Sequence, residues 1–175
     1  MYPNGAQVTA GTTATTSAGA FKTNGGNPGQ FAPDQNLHTG TNSFWTGTFS
    51  VTIASGFSVD LTDITFDFDS RNSSGGLQGA TAVRNIVFDM TIDGSTYGSQ
   101  QGGDVTGGVD YLATFSEALT LAEGVHTLVI TADGTGPGVF APIDDLSING
   151  SVVPEPSSAI LIGLSGLALI RRRRN

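Results

Sequence analysis

The sequence predicts an all-β fold: a β-sandwich or jelly roll of about seven or eight antiparallel strands, followed by a short C-terminal transmembrane helix. Apolar residues alternate with Thr, Ser and Asp over several short runs. Turn residues interrupt those runs at short, regular spacing. The alternation ends at the Pro154-Glu155-Pro156 break, and the apolar stretch beyond it has no period.

Residues 1–40 are rich in Gly, Thr, Ala, Asn and Pro, with Phe21, Phe31 and Leu37 as the large apolar exceptions. They read as a flexible lead, its end reaching at most into a partly ordered first strand. The β domain is expected over 41–153. In its first strand Trp45, Phe49, Val51 and Ile53 share one face, with Thr46, Thr48, Ser50 and Thr52 opposite. Gly56 breaks that run. Ile64, Phe66 and Phe68 make the next face, with Thr65, Asp67 and Asp69 opposite, and residues 72–76 are a loop. Ile86, Phe88, Met90 and Ile92 form a face that ends at Asp93-Gly94, a strong hairpin signal. Residues 98–108 read as a long Gly/Gln/Asp loop.

Tyr111, Ala113 and Phe115 alternate again, then Leu119 and Leu121, with Glu123-Gly124 as a turn. In 125–131, Leu128, Val129 and Ile130 are consecutive, as in a central strand covered on both faces. Residues 134–138 are a loop, and Leu146, Ile148 and Val152 complete the last strand. The succession from Glu123 to Ile130, a loop, then Ile143 to Ile148 loosely resembles the final strands of carbohydrate-binding-type jelly rolls. That resemblance implies a glycan-binding alternative for the body.

Charged residues make up 13% of the chain, about half the usual share. With 25 Gly and abundant Thr and Ser, this composition suits an extracellular β protein. The net charge is −8, and four of the seven basic residues are Arg171, Arg172, Arg173 and Arg174, so the body is more acidic still. Such a surface repels nucleic-acid phosphates and anionic lipid and attracts divalent cations. The absence of cysteine excludes disulfides, thiolate catalysis and cysteine-based zinc sites.

The tail, 154–175, has three parts in order: Pro154-Glu155-Pro156, an uncharged and mostly apolar stretch over 159–170, and the four arginines. The prolines impose an extended chain. As a helix the stretch is apolar on every face and requires apolar surroundings. It would span about 18 Å, against a hydrocarbon core of roughly 30 Å. This is a marginal anchor, suited to transient holding, with the arginines on the cytoplasmic side and the body outside.

Together, Val153-Pro154-Glu155-Pro156, the apolar stretch and the arginine run resemble the PEP-CTERM sorting signal of Gram-negative bacteria. The resemblance implies an exported protein, held briefly in the inner membrane and processed near Pro-Glu-Pro by an exosortase-type enzyme. It further implies a destination at the cell surface or in extracellular polysaccharide and biofilm. Its sorting residues would be Pro154, Glu155, Pro156, Arg171, Arg172, Arg173 and Arg174. Residues 1–30 hold no basic n-region and no apolar h-region, so the secretion signal is expected upstream.

No catalytic constellation is legible, and a non-enzymatic body is expected. His38 and His126 lack an assembled partner set, and no nucleophile elbow, phosphate loop or zinc motif occurs. Asp67 and Asp69 have the spacing of any solvated strand face. Asp144 and Asp145 open the last strand beside a glycine-rich loop and are the candidate calcium ligands. Trp45 shares its phase with core residues, whereas Tyr97, between a hairpin turn and a polar loop, is the candidate exposed platform for stacking on a sugar ring.

Overall fold

The computed structural model describes residues 9–11, 45–70, 79, 83–135 and 141–155. These residues form two antiparallel sheets packed face to face, with no helix among them. In the larger sheet, β1 (Thr9–Gly11), β2 (Trp45–Ile53), β9 (Gly124–Thr135) and β4 (Val83–Ile92) lie in that order, and β5 (Ser95–Thr96) and β6 (Gln101–Thr106) both pair with β4. In the smaller sheet, β10 (Ile143–Pro154) flanks β3 (Phe57–Phe68). There β7 (Tyr111–Phe115) and β8 (Leu119–Leu121) share the other edge of β3. This is the expected all-β sandwich.

The alternating runs form the core. In β2 the buried residues are Trp45, Gly47, Phe49, Val51 and Ile53, with half-buried Thr and Ser between them. Ile86, Phe88, Met90 and Ile92 point inward from β4. The Asp93-Gly94 turn joins β4 to β5, with φ of 50° and 81°, the two positive values that a two-residue type I′ hairpin needs. Phe88 lies at the centre of an aromatic cluster, with ring centroids 6.2 Å from Trp45, 5.1 Å from Phe66 and 4.8 Å from Phe68. The buried Trp45 indole N–H donates to the Ala141 carbonyl at 3.0 Å, which ties β2 to the start of β10.

β3 buries Val59 and Leu61, then Ile64, Phe66 and Phe68, a change from odd to even positions. The pairing explains the change: Asn149 opposes Asp63 and Gly150 opposes Leu61, so Thr62 is an extra residue on β3. Such a bulge moves every later side chain to the other face. A second bulge sits on β10, where Asp145 and Leu146 together oppose Phe66.

Four readings of the sequence need correction here. The lead over 1–40, expected to be flexible up to its end, contains β1, paired along β2. The stretch expected as a loop over 98–108 contains β6, paired along β4 from Val83 to Phe88. β6 lacks apolar alternation in part because Gly102 carries its close approach to β4. A Cβ on Gly102 would lie 2.2 Å from the Ile86 carbonyl oxygen, a contact only glycine avoids. β9 is central, but Leu128, Ile130 and Ala132 are buried while Val129 and Thr131 are only half-buried, so one face alone is covered. Asp69 is not on a solvated strand face: β3 ends at Phe68, and Asp69 is 1% exposed.

Candidate functional site

The last strand carries the start of the tail. Val152, Val153 and Pro154 of β10 oppose Val59, Ser58 and Phe57 of β3. Beyond the strand, the Glu155 N–H donates to the Gly56 carbonyl at 2.9 Å. Pro154 has no N–H to give, and a sheet edge is where that loss is tolerated. Pro154 and Glu155 are exposed. Pro156, the apolar stretch 159–170 and Arg171, Arg172, Arg173 and Arg174 lie outside the described residues. Among the described residues no helix is long and apolar enough to cross a membrane.

The Gly56 carbonyl is itself held in place. The turn before β3 donates from Ser55 Oγ and from the Gly56 N–H to Glu123 Oε2, at 2.8 Å and 2.9 Å. These bonds, the Gly56 one foremost, hold the Glu123 carboxyl below its usual pKa. Gly56, with φ of 81°, turns the chain into β3. Gly150 lets β10 sit close against β3, since a Cβ there would meet the Asp60 carbonyl oxygen at 2.5 Å. Reading the sequence alone took Gly56 and Glu123-Gly124 as separate turns. The contact between them is long-range, and no local pattern signals it.

A cavity of about 120 Å³ opens beside this end, lined by Val51, Ile53, Val59, Leu61, Leu121 and the 148–152 stretch of β10. Its lining is mostly aliphatic.

The other candidates have structural uses. Tyr97 is a correction: it is 1% exposed, its ring packed in the core, so it has no free face for a sugar. Its N–H donates to the Met90 carbonyl at 2.9 Å, which draws the residue in beside β4. Its hydroxyl faces the Glu117 backbone but makes no well-aligned hydrogen bond among the described residues. Burial pushes its pKa up, opposed by the Glu117 backbone N–H and aided by the charges of Asp63 and Glu117. Tyr111 stacks on Phe68 with centroids 5.6 Å apart, and its hydroxyl oxygen accepts from the Thr106 N–H at 2.9 Å. Trp45 is core, as its phase predicted.

Asp144 pairs with Asp67, and Asp145 opens the β10 bulge. Asp145 has φ of 50°, a left-handed conformation that Asp adopts more readily than most residues. Asp144 Oδ1 accepts from the Asp145 N–H at 2.9 Å. Among the described residues no three His, Cys, Asp or Glu side chains converge to hold a metal. His38 lies outside the described residues.

His126 bridges two loops. Its Nδ1 lies 2.7 Å from Asp93 Oδ2 and its Nε2 lies 2.9 Å from the Ala122 carbonyl. Both partners are acceptors, so only the imidazolium satisfies both. Burial disfavours that charge, but the bonds to Asp93 and Ala122 and the Asp93 charge outweigh it and raise the pKa. Asp93, which also accepts from the Thr127 N–H at 2.8 Å, is correspondingly lowered, chiefly by His126. With both ring nitrogens engaged, this group holds structure.

Residues 152–174 match the PEP-CTERM protein-sorting motif. The chain carries a PEP-CTERM sorting tail. The motif implies exosortase processing at the membrane and delivery to the cell surface or beyond. It begins at Val152, inside β10, so motif and fold share residues. No curated protein matches the chain. Among solved structures, it is similar to CBM35 from Cellvibrio japonicus Abf62, at 16% identity and TM-score 0.39, covering 85% of this chain and 90% of that one. It is also similar to TmCBM61 in complex with beta-1,4-galactotriose, at 12% identity and TM-score 0.37, covering 84% and 89%.

Proposed function

We propose that this chain is an exported, non-enzymatic surface or extracellular-matrix protein of a Gram-negative bacterium. Its motif holds it briefly in the inner membrane, and an exosortase-type enzyme then releases it to the cell surface or the surrounding polysaccharide. The observation that supports this most is the position of the motif at the end of the final strand of the sandwich. The final described strand ends at Pro154, so a cut beyond it leaves every described strand pairing in place. The 159–170 stretch, at about 18 Å, is short for permanent spanning, and the arginines resist crossing.

The test is fractionation of a host that exports the full chain and carries the sorting enzyme. Replacing Pro154-Glu155-Pro156 with Ala should leave full-length protein in the membrane fraction. Replacing Arg171, Arg172, Arg173 and Arg174 with Ser should let uncut chain pass outward. Release of the Pro-Glu-Pro variant as readily as the unaltered chain would overturn the reading.

A second reading, carbohydrate binding by the body, is favoured by the outer face of the larger sheet. Half-buried Thr46 and Thr48 of β2 oppose Thr131 and Val129 of β9, which in turn oppose Asp89 and Thr91 of β4. The row Thr46–Thr131–Asp89, two hydroxyls ending in a carboxylate, suits hydrogen bonding to sugar hydroxyls. Calcium would join this reading if Asp144 and Asp145 supply ligands. Polysaccharide pull-down of the body, with and without calcium, tests it, and Asp144→Asn with Asp145→Asn should abolish any calcium-dependent rise in melting temperature. Retention on no polysaccharide in either condition would end it.

A further inference from the structure

We infer that the body stays closed while its tail is removed, and that the sorting enzyme therefore cuts beyond Glu155. The inference rests on the sorting reading above. The motif match starts at Val152, yet Val152, Val153 and Pro154 are already strand residues of β10, and the Glu155 N–H is bonded to the Gly56 carbonyl. A peptidase binds its substrate as an extended chain with free backbone groups. Through Glu155 the chain is held against β3, so a cut that leaves the described strand in place falls after Glu155.

The seat is built to hold. Glu123 fixes the Ser55–Gly56 turn through two hydrogen bonds, and that turn presents the carbonyl that Glu155 uses. Gly150 brings β10 against the β3 backbone more closely than any side chain permits. Val152 packs half-buried on the core. Opening the strand for a cut at Val153 or Pro154 would break the Glu155–Gly56 bond and the end of the β10–β3 pairing. A cut beyond Glu155 breaks one C–N amide bond. The acyl carbon takes a hydroxyl from water, or an amine if the group is transferred, and the departing nitrogen takes the proton. Every strand contact of the body survives.

A staple tests this. Glu155 and Gly56 form a hydrogen-bonded pair, so Val152 and Val59, three places along, fall at a non-hydrogen-bonded position, where cross-strand Cα atoms are nearest. The chain has no cysteine, so Val152→Cys with Val59→Cys forms a single defined disulfide when the protein is exported to an oxidising compartment. Unaltered and stapled chains are exported in the host that carries the sorting enzyme, and the mature species are measured by intact mass. The expected result is that both are processed to the same extent, with C-termini at or beyond Glu155. A mature C-terminus at or before Pro154 in the unaltered chain overturns the inference, and this measurement needs no variant to fold. So does a staple that blocks cutting while its reduction restores it. Those two results leave the sorting reading standing, whereas an unaltered extracellular chain that retains all four arginines overturns both.

Discussion

At one end of the sandwich Phe88 is ringed by Trp45, Phe66 and Phe68, with Tyr111 stacked on Phe68 and Phe115 on Phe66. At the other, Val51, Ile53, Val59, Leu61 and Leu121 meet with no aromatic ring among them and leave a cavity of about 120 Å³. The tail leaves from this second end, where Val152 closes one wall. Large rings in edge-to-face contact bury the most area and gain pairwise attraction beyond it. Short branched side chains around a hollow have fewer partner atoms each. The difference separates the two ends: one holds the large buried rings, and the other carries the strand terminus from which the tail leaves.

The sharpest way to break this comparison is Phe88→Ala. It should cost about 3–5 kcal/mol, the usual range for a fully buried ring, read from urea unfolding of the body. A loss under about 1 kcal/mol would mean that the aromatic end is not the stabilising one. Leu121→Ala, at the cavity, should cost about 2 kcal/mol, near the low end for buried Leu, because the cavity already deprives it of contacts. If it proves as costly as Phe88→Ala, the two ends are energetically alike.

Much of this contrast was legible in the sequence. The inward faces of β2 and β4 follow from strict alternation, and Asp93-Gly94 marks its hairpin because a type I′ turn needs two residues that accept positive φ. What alternation could not reveal was set by long-range contact. β6 has glycines where a pattern would be, since its place depends on approach to Ile86. Tyr97 sits in polar sequence but is pulled inward by its backbone bond to Met90. The carboxylates of Asp144 and Asp145 looked like ligands, and the bulge that begins at Asp145 is visible only in the register of β10 against β3. The tail was legible from its tripartite order, but its overlap with β10 was not, because strand pairing of Val152 and Val153 depends on a partner about a hundred residues away.

Closer to the cavity end, His126 and Asp93 should give a pH-dependent contribution. The His126 pKa is raised, so its share of stability is complete below its ordinary value near 6.5 and is lost as pH rises through the raised value. The Asp93 pKa is lowered, so its share is present above its ordinary 3.8 and is lost as pH falls through the lowered value. The pair therefore contributes most between those two ordinary values. Asp93 is half exposed, at 50% against 15% for His126, so solvent screening keeps the effect below about 1 kcal/mol. Thermal unfolding from pH 5 to 9 should show a decline on the alkaline side that His126→Gln removes. An unchanged decline in that variant would assign it to another group.

The smallest effect expected is from Tyr97→Phe, which deletes a buried hydroxyl whose contact with the Glu117 backbone is poorly aligned. Removing it should be neutral or stabilising by up to about 1 kcal/mol. A loss of more than about 1 kcal/mol would show that the hydroxyl is satisfied after all, as burial of a polar group ordinarily demands.

The account turns on the tail being a signal that is removed, and the intact mass of the protein found outside the cytoplasmic membrane measures that directly. In a host with the sorting enzyme, the predicted species ends at or shortly beyond Glu155 and lacks Arg171, Arg172, Arg173 and Arg174. An extracellular species whose mass still includes those four arginines would contradict it.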